Sequence, residues 1–273
     1  MPSRIGVCSW SLQPDSPETL VARVREAELD AVQLALDPIR RGDWPEIRTI
    51  QRLASGGIRV LSGMMGFKGE DYSTPETIRM TGGVRLDATW EENIRSASQN
   101  AALADRLGLK LVTFHAGFIP HDRSDPVRSI MLDRLRRVID LFDARGIRIG
   151  FETGQETAET LLDALDELDR PHAGVNFDPA NMLLYGMGDP IDAIRRLASR
   201  VVQVHIKDAF APEKSGQWGR EVPAGTGQVR WGEFFEVLRE AGVECDLLIE
   251  REAGGSRIGD VRAAKALAER RGE

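Results

Sequence analysis

Cysteine is scarce in this chain. Cys8 and Cys245 lie near opposite ends, and neither belongs to a Cys-x-x-Cys pair. That argues against a disulfide framework and against a thiolate zinc site, and it makes a reducing, cytoplasmic setting the expectation. Long apolar runs are missing too. None approaches the ~20 residues a membrane span needs, and the opening MPSRIGVCSW lacks the basic-then-apolar pattern of a secretory leader. No membrane partner is expected. A basic excess is also absent: 43 acidic residues stand against 36 basic ones, a formal charge of -7. Such a field repels phosphate backbones, so no nucleic-acid partner is expected. The local group Arg134, Arg136 and Arg137 reads as the solvated face of a helix. Nucleotide signatures are lacking as well. "GVCSWSLQPD" stands where a Gly-x-Gly-x-x-Gly turn would follow a first strand, and no GxxxxGKS loop occurs.

What is present is alternation. Short runs rich in Val, Ile and Leu predict strands over residues 5–9, 31–36, 59–64, 109–115, 148–152, 173–178, 201–206 and 246–250. Amphipathic periodicity predicts helices over 17–28, 44–55, 91–107, 125–145, 157–168, 190–199, 231–241 and 257–270. Gly57, Gly108, Gly146 and Gly242 each fall between a helical stretch and the next strand, where a left-handed residue ends a helix. Ser16 followed by Pro17 reads as an N-cap and a first helical position. Strand and helix in regular turn imply a parallel sheet covered by helices. Eight such units predict an α/β protein, a (β/α)₈ TIM barrel, as a single domain over 1–273, near the ~250 residues usual for that fold. An open doubly wound sheet is the rival. Residues 66–89 and 208–229 are too long for simple turns and follow strand ends, where barrel enzymes carry substrate loops.

The chemistry of such barrels gathers at the C-terminal strand ends. His115 follows the fourth strand in "TFHAG" and reads as a pocket residue. Glu152 ends the fifth ("GFETG"), Asp178 the sixth ("VNFDPAN"), His205 the seventh ("VQVHIKD") and Glu250 the eighth ("LLIERE"). Any one of these alone would pass for a helix cap or an ion-pair partner. Together, three carboxylates and an imidazole converging from consecutive strands would raise one another's cost of ionisation. One divalent cation removes the conflict, and an oxygen-rich set with one imidazole suits Mn²⁺, Co²⁺, Mg²⁺ or Zn²⁺. His121 and His172 read as surface residues. Trp10, Met64, Met65 and Phe67 stand near strand ends and are candidates for a pocket wall.

The segments "GFETG", "NFDPAN", "VHIKD", "VPAGTGQVRW" and "LLIERE" resemble the sugar phosphate isomerase/epimerase family, the xylose-isomerase-like barrels of the AP endonuclease family 2 superfamily. The resemblance runs from "GVCSWSL" to the last helix. That group includes ketose 3-epimerases, hydroxypyruvate isomerases, inosose dehydratases and DNA-repair enzymes of the endonuclease IV type. The resemblance implies a metal on Glu152, Asp178, His205 and Glu250, with Glu152 and Glu250 doubling as the acid/base pair. Arg220 in "WGREVPAGTG" matches an arginine common in the family, and with Lys207 it is a candidate for orienting hydroxyls or a phosphate. Asn181 departs from the pattern. It stands where sugar epimerases of the group commonly have His, and an amide can bond a substrate hydroxyl but cannot shuttle a proton.

The function expected is isomerisation or epimerisation of a small ketose-type sugar or sugar phosphate through an enediolate. An inosose-dehydratase-like lyase on the same site is the alternative, and a non-catalytic sugar-binding barrel is a further one. A repair endonuclease would need three metals, and four histidines in the chain are too few for that. The partner expected is a small sugar. A homo-oligomer is compatible with the sequence, dimers and tetramers being the commonest assemblies in general.

Overall fold

The apolar runs form strands because each is too short for a stable helix and most have a Gly, Asp or Pro close to one end. In chain order they are β1 (Ile5–Cys8), β2 (Ala31–Ala35), β3 (Arg59–Met64), β4 (Leu111–Phe114), β5 (Arg148–Glu152), β6 (Ala173–Phe177) and β7 (Val201–Ile206). The short β8 (Asp208–Phe210) and β9 (Arg220–Val222) follow, and then β10 (Asp246–Ile249). In this computed structural model, which describes residues 3–214 and 216–270, β1 to β7 pair in sequence and β10 closes the circle between β7 and β1. All eight pairings are parallel. The outermost residues of the expected 1–273 domain, and Ser215 within the expected 208–229 loop, lie outside the described residues.

The helices are α1 (Pro17–Glu26), α2 (Asp37–Arg40), α3 (Glu46–Ser55), α4 (Pro75–Thr81), α5 (Asp87–Arg106), α6 (Pro126–Asp143), α7 (Ala158–Leu168), α8 (Pro179–Leu184), α9 (Pro190–Leu197), α10 (Trp231–Glu240) and α11 (Arg257–Glu269). The eight long ones fall where the periodicity placed them. The four glycines expected to end helices all have φ between +62° and +70°. Among those helices, α1 begins as read, with Ser16 Oγ accepting from Thr19 N and Pro17 at the first position.

Several bounds differ for local reasons. The strand expected from 109 begins at Leu111, because Leu109 N donates to Ala104 O and still belongs to the helix ending. The expected 66–89 loop contains α4, nucleated by a reciprocal capping box between Thr74 and Thr77. The expected 208–229 loop holds the antiparallel pair β8–β9. Its base is pinned by buried Asp208, whose carboxylate accepts from the backbone of Gly225, Gly227 and Val229 and from Trp231 Nε1. The basic group on α6 is also less free than expected. Arg134 donates to the Val84 and Arg85 carbonyls, and Arg134 and Arg137 both lie 5.1 Å from the Trp90 ring.

Apolar helix faces pack around the barrel, while the barrel interior carries a polar layer. Gln33, Ser62, Thr113, Asn176 and Gln203 are all buried. Ser62 donates to Gln203 Oε1 at 2.5 Å, and Gln203 donates to Asn176 Oδ1 at 3.0 Å. β3 and β7 are not neighbours in the sheet, so the first of these bonds crosses the barrel interior. Satisfied in this way, the layer forms a floor beneath the C-terminal strand ends.

Candidate metal centre

Each candidate ligand stands where a strand stops. Glu152 is the last residue of β5, Asp178 follows β6, His205 is the penultimate residue of β7 and Glu250 follows β10. β5, β6, β7 and β10 are consecutive in the barrel, so the four side chains meet. One ligand atom from each lies within 4.8 Å of the other three, and all four residues are buried. His205 Nδ1 is the hub, 3.3 Å from Glu152 Oε1, 3.4 Å from Glu250 Oε2 and 3.7 Å from Asp178 Oδ2.

The surroundings hold each group at the hub. Asp178 caps α8 with one oxygen, Oδ1 accepting from Ala180 N at 2.8 Å and Asn181 N at 2.9 Å. Its Oδ2 has no hydrogen-bond partner, and neither has His205 Nδ1. Glu152 Oε1 accepts from Asn181 Nδ2 at 3.0 Å. Glu250 accepts from Trp10 Nε1 at 2.8 Å on one oxygen and from Lys207 Nζ at 2.9 Å on the other. Asp178 Oδ2 and His205 Nδ1, 3.7 Å apart and without a formed hydrogen bond, are left free to serve a cation as ligands. Three carboxylate oxygens and one imidazole nitrogen form a donor set that fits a divalent ion.

Charge in the cluster is balanced against burial. Burial pushes the Asp178 carboxyl up to about 6, against the pull of Lys207 and His205. Glu250 is held well below the usual carboxylate range: burial would raise it, but Lys207 and His205 outweigh that. Burial would also lower the Lys207 ammonium, yet Glu250, Glu252 and Asp178 hold it well above its ordinary value.

Above the cluster opens a cavity of about 520 Å³. Trp10, Met64, Met65, His115, Asn181 and Lys207, all proposed from the sequence, line it. His115 Nε2 is 3.7 Å from Glu152 Oε1. Asn181 bridges the two sides of the site, donating to Glu152 and accepting from Lys207 Nζ at 3.2 Å. Two candidates stand outside the cavity lining. Arg220 is exposed and outside the cavity lining, because β9 pairs Arg220 with Phe210 and its guanidinium lies 4.8 Å over that ring. Phe67 belongs to the core, edge-on to Phe114 with ring centroids 5.3 Å apart. His121 and His172 are exposed, as expected.

Other lining residues were not read from the sequence. Glu252 accepts from Lys207 at 2.6 Å, and Glu70, Tyr72, Tyr185 and Trp218 complete the walls. The repeat of Glu two residues after Glu250, in "IERE", is a signal that was available for the first. The others sit on loops with no periodic pattern.

The loop after β5 carries a second buried acid. Glu156 is buried and neither of its carboxyl oxygens has a partner. Burial pushes it up to about 8. Between its ordinary value and about 8 the folded chain keeps a proton that the unfolded chain releases, so stability falls as pH rises through that window. Glu156→Gln should match the wild type near pH 4 and exceed it at pH 8 by on the order of 4 kcal/mol. Urea unfolding at the two pH values checks this; equal slopes with pH in the two proteins would remove the account.

Fold and site together define a (β/α)₈ barrel with a candidate metal centre at its C-terminal face. The model of the xylose isomerase-like TIM barrel family matches residues 21–270, and the chain belongs to that family. Its structure is similar to that of a xylose isomerase domain protein from Planctomyces limnophilus. The TM-score is 0.86 at 29% identity, over 99% of this chain and 96% of that one. It is also similar in fold to an L-ribulose 3-epimerase, with a TM-score of 0.76 at 19% identity, over 98% and 94% of the two chains. A curated relative, the 3-oxo-isoapionate decarboxylase of Pectobacterium atrosepticum, is 30% identical over 118 residues. The matched stretch spans 42% of this chain and 42% of that relative. Among the described residues no helix is long and apolar enough to cross a membrane.

Proposed function

We propose that the chain is a divalent-metal-dependent enzyme that moves a proton on the carbon next to a carbonyl in a small, ketose-type sugar. The observation that carries this reading is the placement of Glu152 and Glu250. They stand on β5 and β10, at the two ends of the four-strand arc, and each directs an oxygen to within 3.4 Å of the hub. A divalent ion held by Glu152, Asp178, His205 and Glu250 would supply Lewis-acid polarisation of the carbonyl. Glu152 removes the proton and Glu250 returns one from the other side, or the reverse. Return to the same carbon gives an epimer, and return to its neighbour gives an isomer. Asn181 and Lys207 bond substrate hydroxyls, His115 stands beside Glu152, and the Trp10 ring packs against the sugar's C–H face. A sugar epimerase activity in a similar fold, that of the L-ribulose 3-epimerase, supports this reading.

A second reading is favoured by the curated decarboxylase relative. Loss of carbon dioxide from a 3-oxo acid leaves the same electron-rich carbon beside a carbonyl, which the same groups would protonate.

One experiment separates the two. The Mn²⁺-loaded protein is incubated in deuterium oxide with a panel of ketoses, L-ribulose and D-psicose included, and followed by proton NMR. Deuterium should enter the carbon beside the carbonyl. No exchange with any ketose, together with carbon dioxide release from a 3-oxo acid, transfers the function to the second reading. Absence of both deuterium exchange and carbon dioxide release would remove the catalytic reading.

A further inference from the structure

A polar side chain inside an apolar strand is costly unless it is bonded. β2 reads Ala-Val-Gln-Leu-Ala, and Gln33 is fully buried at its centre. The Gln33 amide nitrogen donates to Thr113 Oγ1 at 2.8 Å and to the Gly63 carbonyl at 3.4 Å. Thr113 directs its own proton to Met64 Sδ at 3.0 Å, so toward Gln33 it accepts. The Gly63 carbonyl can only accept. Both neighbours therefore demand the NH₂ edge, and Oε1 is left facing His205 Nε2 at 2.7 Å. Cys8 Sγ donates to the same oxygen at 3.4 Å.

An amide oxygen cannot donate, so His205 Nε2 carries the ring proton. Asn176 Nδ2, its orientation set by Gln203 bonding Oδ1, lies 3.0 Å from that nitrogen and competes to donate to it. The shorter 2.7 Å contact to Gln33 Oε1 is made only by an Nε2–H and decides the assignment, with Glu152 Oε2 at 3.5 Å as the Asn176 acceptor. With the proton on Nε2, a neutral ring presents its lone pair at Nδ1, the atom facing the three carboxylates.

We propose that Gln33 is a positioning residue: it locks His205 in the tautomer that ligates a divalent ion through Nδ1, and affinity for the ion depends on it. The inference rests on the metal reading of the site. Hydrogen bonds to the far nitrogen of a ligating imidazole typically govern affinity about 10–100-fold.

The test is Mn²⁺ affinity, measured by competition with a chelating dye, beside the melting temperature of the metal-free protein. Gln33→Met, close in volume but with only a weakly accepting thioether in place of the amide oxygen, should weaken Mn²⁺ binding about 10–100-fold. Gln33→Glu, which keeps an acceptor, should restore affinity to the wild-type level or better. A folded Gln33→Met protein that binds Mn²⁺ within about twofold of the wild type overturns the proposal alone. So does a folded Gln33→Glu protein as weak as Gln33→Met. A wild type that binds no ion overturns the metal reading and this inference together. If Gln33→Met fails to fold, nitrogen NMR of the histidine-labelled, Zn²⁺-loaded wild type decides. His205 should show its proton on Nε2, and a bare Nε2 overturns the assignment.

Discussion

Glu152→Gln should lower turnover on the order of 10³-fold or more, with the fold intact. The replacement is isosteric, and its carbonyl oxygen still accepts from Asn181 Nδ2, now at 3.0 Å from Oε1. What disappears is the proton acceptor and one unit of negative charge at the hub. Burial would raise the wild-type carboxyl, but His115 and His205 outweigh it and hold Glu152 below its ordinary value, so it is an anion ready to accept a proton. An amide in the same place cannot. The measurement is kcat under saturating metal, with the melting temperature and far-ultraviolet dichroism as controls for folding. Activity within about tenfold of the wild type would deny Glu152 an acid/base role.

The second large effect is thermal. Without an ion, the cluster balances three carboxylates with a protonated His205 and the Lys207 ammonium. Burial would lower the His205 pKa, but Cys8, Glu152 and Glu250 hold it well above its ordinary value. An ion that binds only the folded chain stabilises it by about 4 kcal/mol at ~1,000 times its dissociation constant. For a chain of this size that raises the melting temperature by about 10 °C. Mn²⁺ added to chelator-treated protein should produce this shift. Asp178→Asn should lose more than half of it, because Oδ1 keeps its cap on α8 while the orphaned Oδ2 becomes an NH₂ that cannot ligate. A wild type whose melting is indifferent to Mn²⁺, Co²⁺, Mg²⁺ and Zn²⁺ alike has no metal centre here.

Much of this was legible before any coordinates. Glu152, Asp178 and Glu250 each close an apolar run where another Val or Leu would be expected, and a period-two pattern broken by a charge at the strand end is a local signal. Gln33, Asn176 and Gln203 broke apolar strands in the same way, short of their ends. They passed unread because a lone amide does not announce its partner. Arg220 shows the converse. Its loop position matched a family pattern, yet strand pairing in β8–β9 laid it over Phe210.

By itself, the sequence determined a parallel sheet of eight strand–helix units, with a closed barrel favoured over an open sheet, since the alternation of apolar runs and amphipathic stretches is a local property that permits few ways of burying every face. It also determined which strands end in ligand-capable groups. Only the tertiary structure decided which atoms face which. Asp178 divides its two oxygens between a helix cap and the hub, Lys207 lies between Glu250 and Glu252, and His205 turns Nδ1 toward the carboxylates and Nε2 toward Gln33. Those choices depend on barrel closure, which brings residues as far apart in the chain as Trp10 and Glu250, 240 positions, into hydrogen-bonding distance, and on directional bonds that no one-dimensional pattern encodes.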